Sequence, residues 1–157
     1  MSKRKPKTEP KKTQLVVALD FPKGEAAAKL MKECADLPVI WKVGSELFLS
    51  EGPEWVRSRV KEGFRIFLDL KFHDIPNTVT KAAVQVGELG VEMFTLHLAG
   101  GPAMIRSVRD ELEKRFTGKK GEKRPLILGV SVLTSFDQAT WDDVSFAVGG
   151  TASKVAE

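Results

Sequence analysis

The sequence has 157 residues, with 25 Lys+Arg against 21 Asp+Glu for a net charge of +4, 42% hydrophobic and 29% charged. This composition excludes a wholly disordered chain and allows one globular domain whose core needs neither metal nor disulfide. The length also falls well short of the roughly 250 residues usual for a complete eight-stranded α/β barrel.

Residues 1–13 are predicted as a basic disordered leader, and residues 14–157 as part of a single folded domain. Lys3, Arg4, Lys5, Lys7, Lys11 and Lys12 stand against Glu9 in the first twelve residues, a net of +5, which leaves 19 bases and 20 acids elsewhere. The basic excess therefore belongs to a solvated tail. The tail has no aromatic residue to stack on bases, so no nucleic-acid partner is expected. No stretch approaches the roughly 20 apolar residues of a membrane span, and the tail lacks the apolar segment of a signal peptide. Cys34 is the single cysteine. That rules out an internal disulfide and a zinc site of the usual spacing, so no metal is expected. The location expected is the cytoplasm, with no membrane partner.

Short apolar runs then alternate with amphipathic stretches. Strands are predicted at 14–20, 38–44, 64–71, 91–97 and 125–132. Helices are predicted at 24–35, at 53–62 with Pro53 in a first helical position, at 76–89 again opened by proline, and at 103–116. A polar loop occupies 117–124. The segment 136–150 reads as loop with at most a short helical turn, and 151–157 as the opening of another helix. Near-continuous apolar strands between helices indicate a parallel sheet covered on both faces. An open doubly wound sheet and a barrel share this pattern. The turn after the first strand, Asp20–Gly24, has one glycine and a proline, and no GxGxxG or Walker-type loop occurs. A dinucleotide or triphosphate cradle is therefore not expected.

Polar residues recur where the strands end: Asp20, Lys42, Asp69 with Lys71, His97, and Thr134 beyond strand five. Both architectures place their sites at that end of the sheet. With a side-chain period of two, Ile66, Leu68 and Leu70 share one face of strand three, and Phe67, Asp69 and Lys71 the other. Asp74 follows three residues after Lys71, so Asp-x-Lys-x-x-Asp is expected to set two carboxylates around one ammonium. Opposite charges nearby favour the charged forms, which suits Lys71 to donate a proton, whereas a Schiff-base lysine needs desolvation or crowding by cations. Lys42 brings a second ammonium to the carboxylates. A buried salt-bridge network is the competing reading, but buried ion pairs are poor stabilisers and several at strand ends point to a site. His97 reads as a hydrogen-bonded core residue, Asp20 as a helix cap or ligand contact, and Thr134 and Ser135 as residues that can cap a turn. Trp41, Trp55 and Trp141 read as packing residues, and Cys34 as a small helix residue.

These residues resemble the bacterial form of orotidine 5′-phosphate decarboxylase. The resemblance is carried by Val17-Ala-Leu-Asp20-Phe21, Lys42-Val-Gly44, Asp69-Leu-Lys71-Phe-His-Asp74-Ile-Pro-Asn-Thr78 and Val132-Leu-Thr134-Ser135, and it covers about residues 14–157. It implies a (β/α)8 TIM barrel, a homodimer with a site shared across subunits, and neither metal nor organic cofactor. The implied reaction is conversion of orotidine 5′-phosphate to UMP and CO2, the last step of de novo pyrimidine synthesis. By the same resemblance, Lys71 delivers the proton, and Asp69 lies beside the departing carboxylate in an array with Lys42. Asp74 joins the neighbouring subunit's array, and Thr78 meets that subunit's ribose. Asp20 and Lys42 hold ribose hydroxyls, Thr134 lies near the pyrimidine, and Ile75 is counted among the substrate-binding residues. The resemblance puts the phosphate grip in later segments, a Gln-containing loop and a Gly-Arg turn, which this sequence lacks. The expectation is thus a barrel truncated after strand five and the start of the next helix. The alternatives are a Mg²⁺-dependent sugar-phosphate decarboxylase or aldolase of the same superfamily, and a truncated non-catalytic fragment.

Overall fold

The structure, a computed structural model, describes residues 13–116 and 123–144. The leader up to residue 12, the loop at 117–122 and the helix expected at 151–157 lie outside the described residues. Five strands run β1 (Val16–Ala18), β2 (Ile40–Gly44), β3 (Ile66–Phe72), β4 (Met93–His97) and β5 (Leu126–Val130). They are separated by α1 (Gly24–Glu33), α2 (Ser45–Lys61), α3 (Pro76–Leu89) and α4 (Gly101–Phe116), and α5 (Gln138–Val144) follows β5.

All neighbouring strands pair in parallel, and the sheet order is β1-β2-β3-β4-β5. This order decides between the two architectures. A doubly wound sheet reverses its strand order at a switch point, whereas a barrel adds each βα unit beside the last. The described strands show no reversal, so they follow barrel order.

The core lies between the sheet and its helices. β4 contributes Phe94 and Leu96, β3 contributes Ile66 and Leu68, and β2 contributes Val43, all fully buried. Helices cover them with Met31 from α1, Leu47 and Val56 from α2, Ala83 from α3, and Met104, Val108 and Leu112 from α4. α3 and α4 pack closely because Gly87 has no side chain: a Cβ there would come within 2.5 Å of the Phe116 ring.

Most predicted boundaries move by a few residues, and two segments differ by more. α2 begins at Ser45, eight residues before Pro53, because two helical segments join across a kink at Gly52, with φ 76° and ψ 178°. Glycine tolerates that backbone and Pro53 restarts the helix behind it, so a local reading takes the break for the beginning. The segment expected as loop from 136 holds α5, whose first turn is fixed by the Asp137 carboxylate accepting from Thr140 N–H at 2.8 Å. Trp141 is not a core residue, being 41% exposed.

Candidate active site

Charged side chains from β1 to β3 meet at the C-terminal ends of the strands. Asp20 follows β1 by two residues, Lys42 lies within β2, and Asp69 and Lys71 lie in β3. Parallel register sets Ala18 beside Lys42 and Gly44 beside Asp69, which brings these side chains to one level. The Lys42 ammonium lies 3.5 Å from Asp20 Oδ1 and 3.8 Å from Asp69 Oδ2. Lys71 Nζ donates to both Asp69 oxygens at 3.0 Å. The result is a row of alternating charge: Asp20, Lys42, Asp69, Lys71. Asp69 is its most enclosed member, with its side chain 14% exposed, against 41% for the side chain of Lys71.

The row differs from the arrangement expected of Asp-x-Lys-x-x-Asp. The ammonium between two carboxylates is Lys42, not Lys71. Asp74 is exposed, and its Oδ1 accepts from the N–H of Ile75 at 2.6 Å, where the chain turns into α3. Among the described residues Asp74 makes no ion pair. The strict alternation of β3 also fails at its end. Lys71 has φ 50°, the only positive φ at a non-glycine residue among the described residues. A left-handed backbone costs a residue with a Cβ about 1–2 kcal/mol. The pairing of β3 with β4 shifts register over the same stretch, between Leu68 and Phe72.

Thr95 of β4 is a site residue that the sequence reading missed. It is the only buried polar side chain among the described residues, 4% exposed. Its Oγ1 accepts from Lys71 N–H at 2.9 Å and donates to Asp69 Oδ1 at 2.9 Å. The signal was a hydroxyl inside the otherwise apolar run Met93-Phe-Thr-Leu96, since a buried hydroxyl requires partners.

The remaining expected residues lie outside the row. Ile75 and Thr78 are exposed at the start of α3. Thr134 is exposed in a turn four residues past the end of β5. Asp20 caps no helix: Lys23 is the residue before α1, and Asp20 instead meets Lys42. His97 stacks at a tilt on His73, ring centroids 5.4 Å apart, and its buried Nδ1 has no hydrogen-bond partner among the described residues. Both rings line an apolar cavity of about 560 Å³ with Val132, Phe136 and Trp141. No group of three metal-capable side chains occurs among the described residues, and none of their helices is long and apolar enough to cross a membrane.

A fixed ammonium held by a carboxylate, next to a second ammonium, can stabilise negative charge that develops on a bound molecule and then supply a proton to it. Comparison with known proteins identifies the family. Residues 13–155 match the model of the "Orotidine 5'-phosphate decarboxylase / HUMPS family". The chain is 42% identical over 131 residues to the orotidine 5′-phosphate decarboxylase of Idiomarina loihiensis, covering 83% of this chain and 54% of that protein. It is 45% identical over 125 residues to that of Legionella pneumophila, covering 80% and 52%. The solved orotidine 5′-phosphate decarboxylase of Lactobacillus acidophilus superposes with a TM-score of 0.77 at 34% identity, over 90% of this chain and 62% of that one. The chain thus spans about half the length of the curated relatives it matches.

Proposed function

This chain belongs to the orotidine 5′-phosphate decarboxylase / HUMPS family, and from that premise we propose that the protein decarboxylates orotidine 5′-phosphate to UMP. The observation that carries the reading is the row Asp20, Lys42, Asp69, Lys71 at the strand ends. In the proposed reaction the bond between the pyrimidine ring and its carboxylate breaks, and CO2 leaves. The electron pair stays on the ring carbon, where resonance offers little relief. The Lys71 ammonium stabilises that charge and transfers a proton to the carbon, after which the neutral amine takes a proton from solvent. Asp69 places its negative charge beside the substrate carboxylate, a repulsion that ends as CO2 departs. Lys42 and Asp20 hold ribose hydroxyls, and Thr134 approaches the pyrimidine. No cofactor takes part in these steps.

Asp74, Ile75 and Thr78 have a different place in the proposal. They are exposed, and Asp74 bonds to the N–H of Ile75 instead of joining the row. This supports a homodimer in which Asp74 and Thr78 complete the site of the neighbouring subunit. The protein is proposed to act in the cytoplasm. The Mg²⁺-dependent alternative is not favoured, because the curated relatives carry the decarboxylase name.

The test uses the protein encoded by the complete reading frame that contains these residues. Orotidine 5′-phosphate is consumed with release of UMP and CO2, and Lys71→Ala lowers kcat at least about a hundredfold. Turnover by Lys71→Ala close to that of the parent would sink the proposal.

A further inference from the structure

We propose that Thr95 is a positioning residue: its hydroxyl fixes the backbone turn at Lys71 and the orientation of the Asp69 carboxylate together. The inference rests on the reading of Lys71 as proton donor and adds to it the group that aims the donor.

The need for such a group comes from the strand pairing. β3 and β4 pair at Leu68↔Phe94 and next at Phe72↔Leu96, so four steps along β3 match two along β4. The surplus backbone falls out of the regular ladder, and Lys71 within it adopts its left-handed φ of 50°. Thr95 lies between the two paired positions of β4, and its Oγ1 takes the Lys71 N–H. A side chain thus supplies the acceptor to an amide displaced from the ladder, where an unmet buried N–H is costly.

The direction of the second bond follows from valence. The amide can only donate and the carboxylate can only accept, so the one hydroxyl proton goes to Asp69 Oδ1. Asp69 needs this bond because the terminal torsion of an aspartate is broad and does not orient its own oxygens. With Oδ1 held by Thr95, both oxygens remain 3.0 Å from Lys71 Nζ, and Oδ2 stays 3.8 Å from Lys42. Thr95 is itself aimed, since a β-branched side chain has few χ1 choices and its neighbours Phe94 and Leu96 are fully buried. Among such neighbours there is little room for water to replace the hydroxyl.

The test compares Thr95→Val, which keeps the shape and loses the hydroxyl, with Thr95→Ser, which keeps the hydroxyl. Steady-state kinetics are measured on the complete protein, and hydrogen exchange at individual amides on the same samples. Thr95→Val is expected to lower kcat by about tenfold to a hundredfold with KM within about threefold, and Thr95→Ser to stay within about threefold of the parent. Exchange of the Lys71 amide accelerates at least about tenfold in Thr95→Val and not in Thr95→Ser, while the Phe94 and Leu96 amides keep their protection. Thr95→Ala, expected to behave as Thr95→Val, takes its place if that variant does not fold. Equal loss of kcat in Val and Ser, an effect confined to KM, or unchanged Lys71 exchange in Thr95→Val overturns the proposal. If the parent itself does not act on orotidine 5′-phosphate, the functional reading fails instead, and the exchange comparison alone decides the role of Thr95.

Discussion

The two ends of this sheet both carry charge, and they use it in opposite ways. At the N-terminal end, Arg65 precedes β3 and Glu92 precedes β4. The guanidinium donates from Nε to Oε2 and from Nη2 to Oε1, each at 2.6 Å, and Nη2 also reaches Gln14 at 2.7 Å. That bidentate pair uses both carboxylate oxygens, and it closes on itself. At the C-terminal end, Asp20, Lys42, Asp69 and Lys71 form an open row. Its contacts with Lys42 are long, at 3.5 and 3.8 Å, and its last member, Lys71, has a side chain 41% exposed on a strained backbone. The closed pair satisfies its groups within the protein. The open row leaves them available to a ligand, at the cost of strain at Lys71.

The largest expected effect tests that cost. Lys71→Gly removes the ammonium and relieves the left-handed backbone in one step. Activity on orotidine 5′-phosphate falls at least about a hundredfold. Stability in chemical denaturation stays equal or rises by up to about 1 kcal/mol, because the relief exceeds or matches the entropy that glycine adds to the unfolded chain. A loss of stability well above 1 kcal/mol would show that Lys71 holds the fold together, and the contrast between the two ends would dissolve. The Thr95 variants act next in size and on the same residue from the other side.

How much of this was legible in the sequence follows from the same contrast. The ends of α3 were legible because Pro76 and Gly90 mark them locally. The chemistry of the row was legible as residue types at strand ends, and the long run from Asp69 to Thr78 carried a resemblance to the family that the chain belongs to. The partners within the row were not legible. Lys42 lies between Asp20 and Asp69 through pairing of three strands, a fact of register and not of spacing. Asp74 leaves Lys71 because the chain turns into α3 after β3, and the two-residue period stops applying there. Thr95 stayed hidden because its importance depends on a register shift in the neighbouring strand. The first half of α2 was missed because Gly52 and Pro53 imitate a helix start.

A smaller effect is expected when the closed pair is broken. Arg65→Met removes the guanidinium and leaves Glu92 at the other end of the sheet from the row. The side chains of Arg65 and Glu92 are 38% and 31% exposed, so solvent screens much of the interaction. The variant should lose about 1 kcal/mol or less, and less still in high salt. The kcat on orotidine 5′-phosphate should remain within about twofold of the parent, since a pair so placed touches no reacting atom. A large loss of kcat without loss of stability would mean that the two ends are coupled through β3, and that the closed pair helps to place Lys71.

The pH dependence of that small difference is the finest test. The hydrogen bond from Arg65 is the main cause that holds the Glu92 carboxyl below its ordinary value of 4.5; partial burial opposes it, and the charges of Arg65 and Lys123 assist. The same hydrogen bond raises the guanidinium, whose proton stays on throughout the acid range. A carboxyl whose folded-state pKa is depressed adds stability above its unfolded value, and the addition disappears as pH falls through the folded value. The gap between parent and Arg65→Met should therefore be constant near neutral pH, begin to narrow close to pH 4.5, and close below it. All other carboxylates are common to the two proteins and largely cancel in the difference, so the gap isolates the pair. Denaturant midpoints from about pH 6 down to about pH 3 measure it. A gap that stays constant down to about pH 3 would mean that Arg65 stabilises the fold through the packing of its side-chain stem and not through the charge of Glu92.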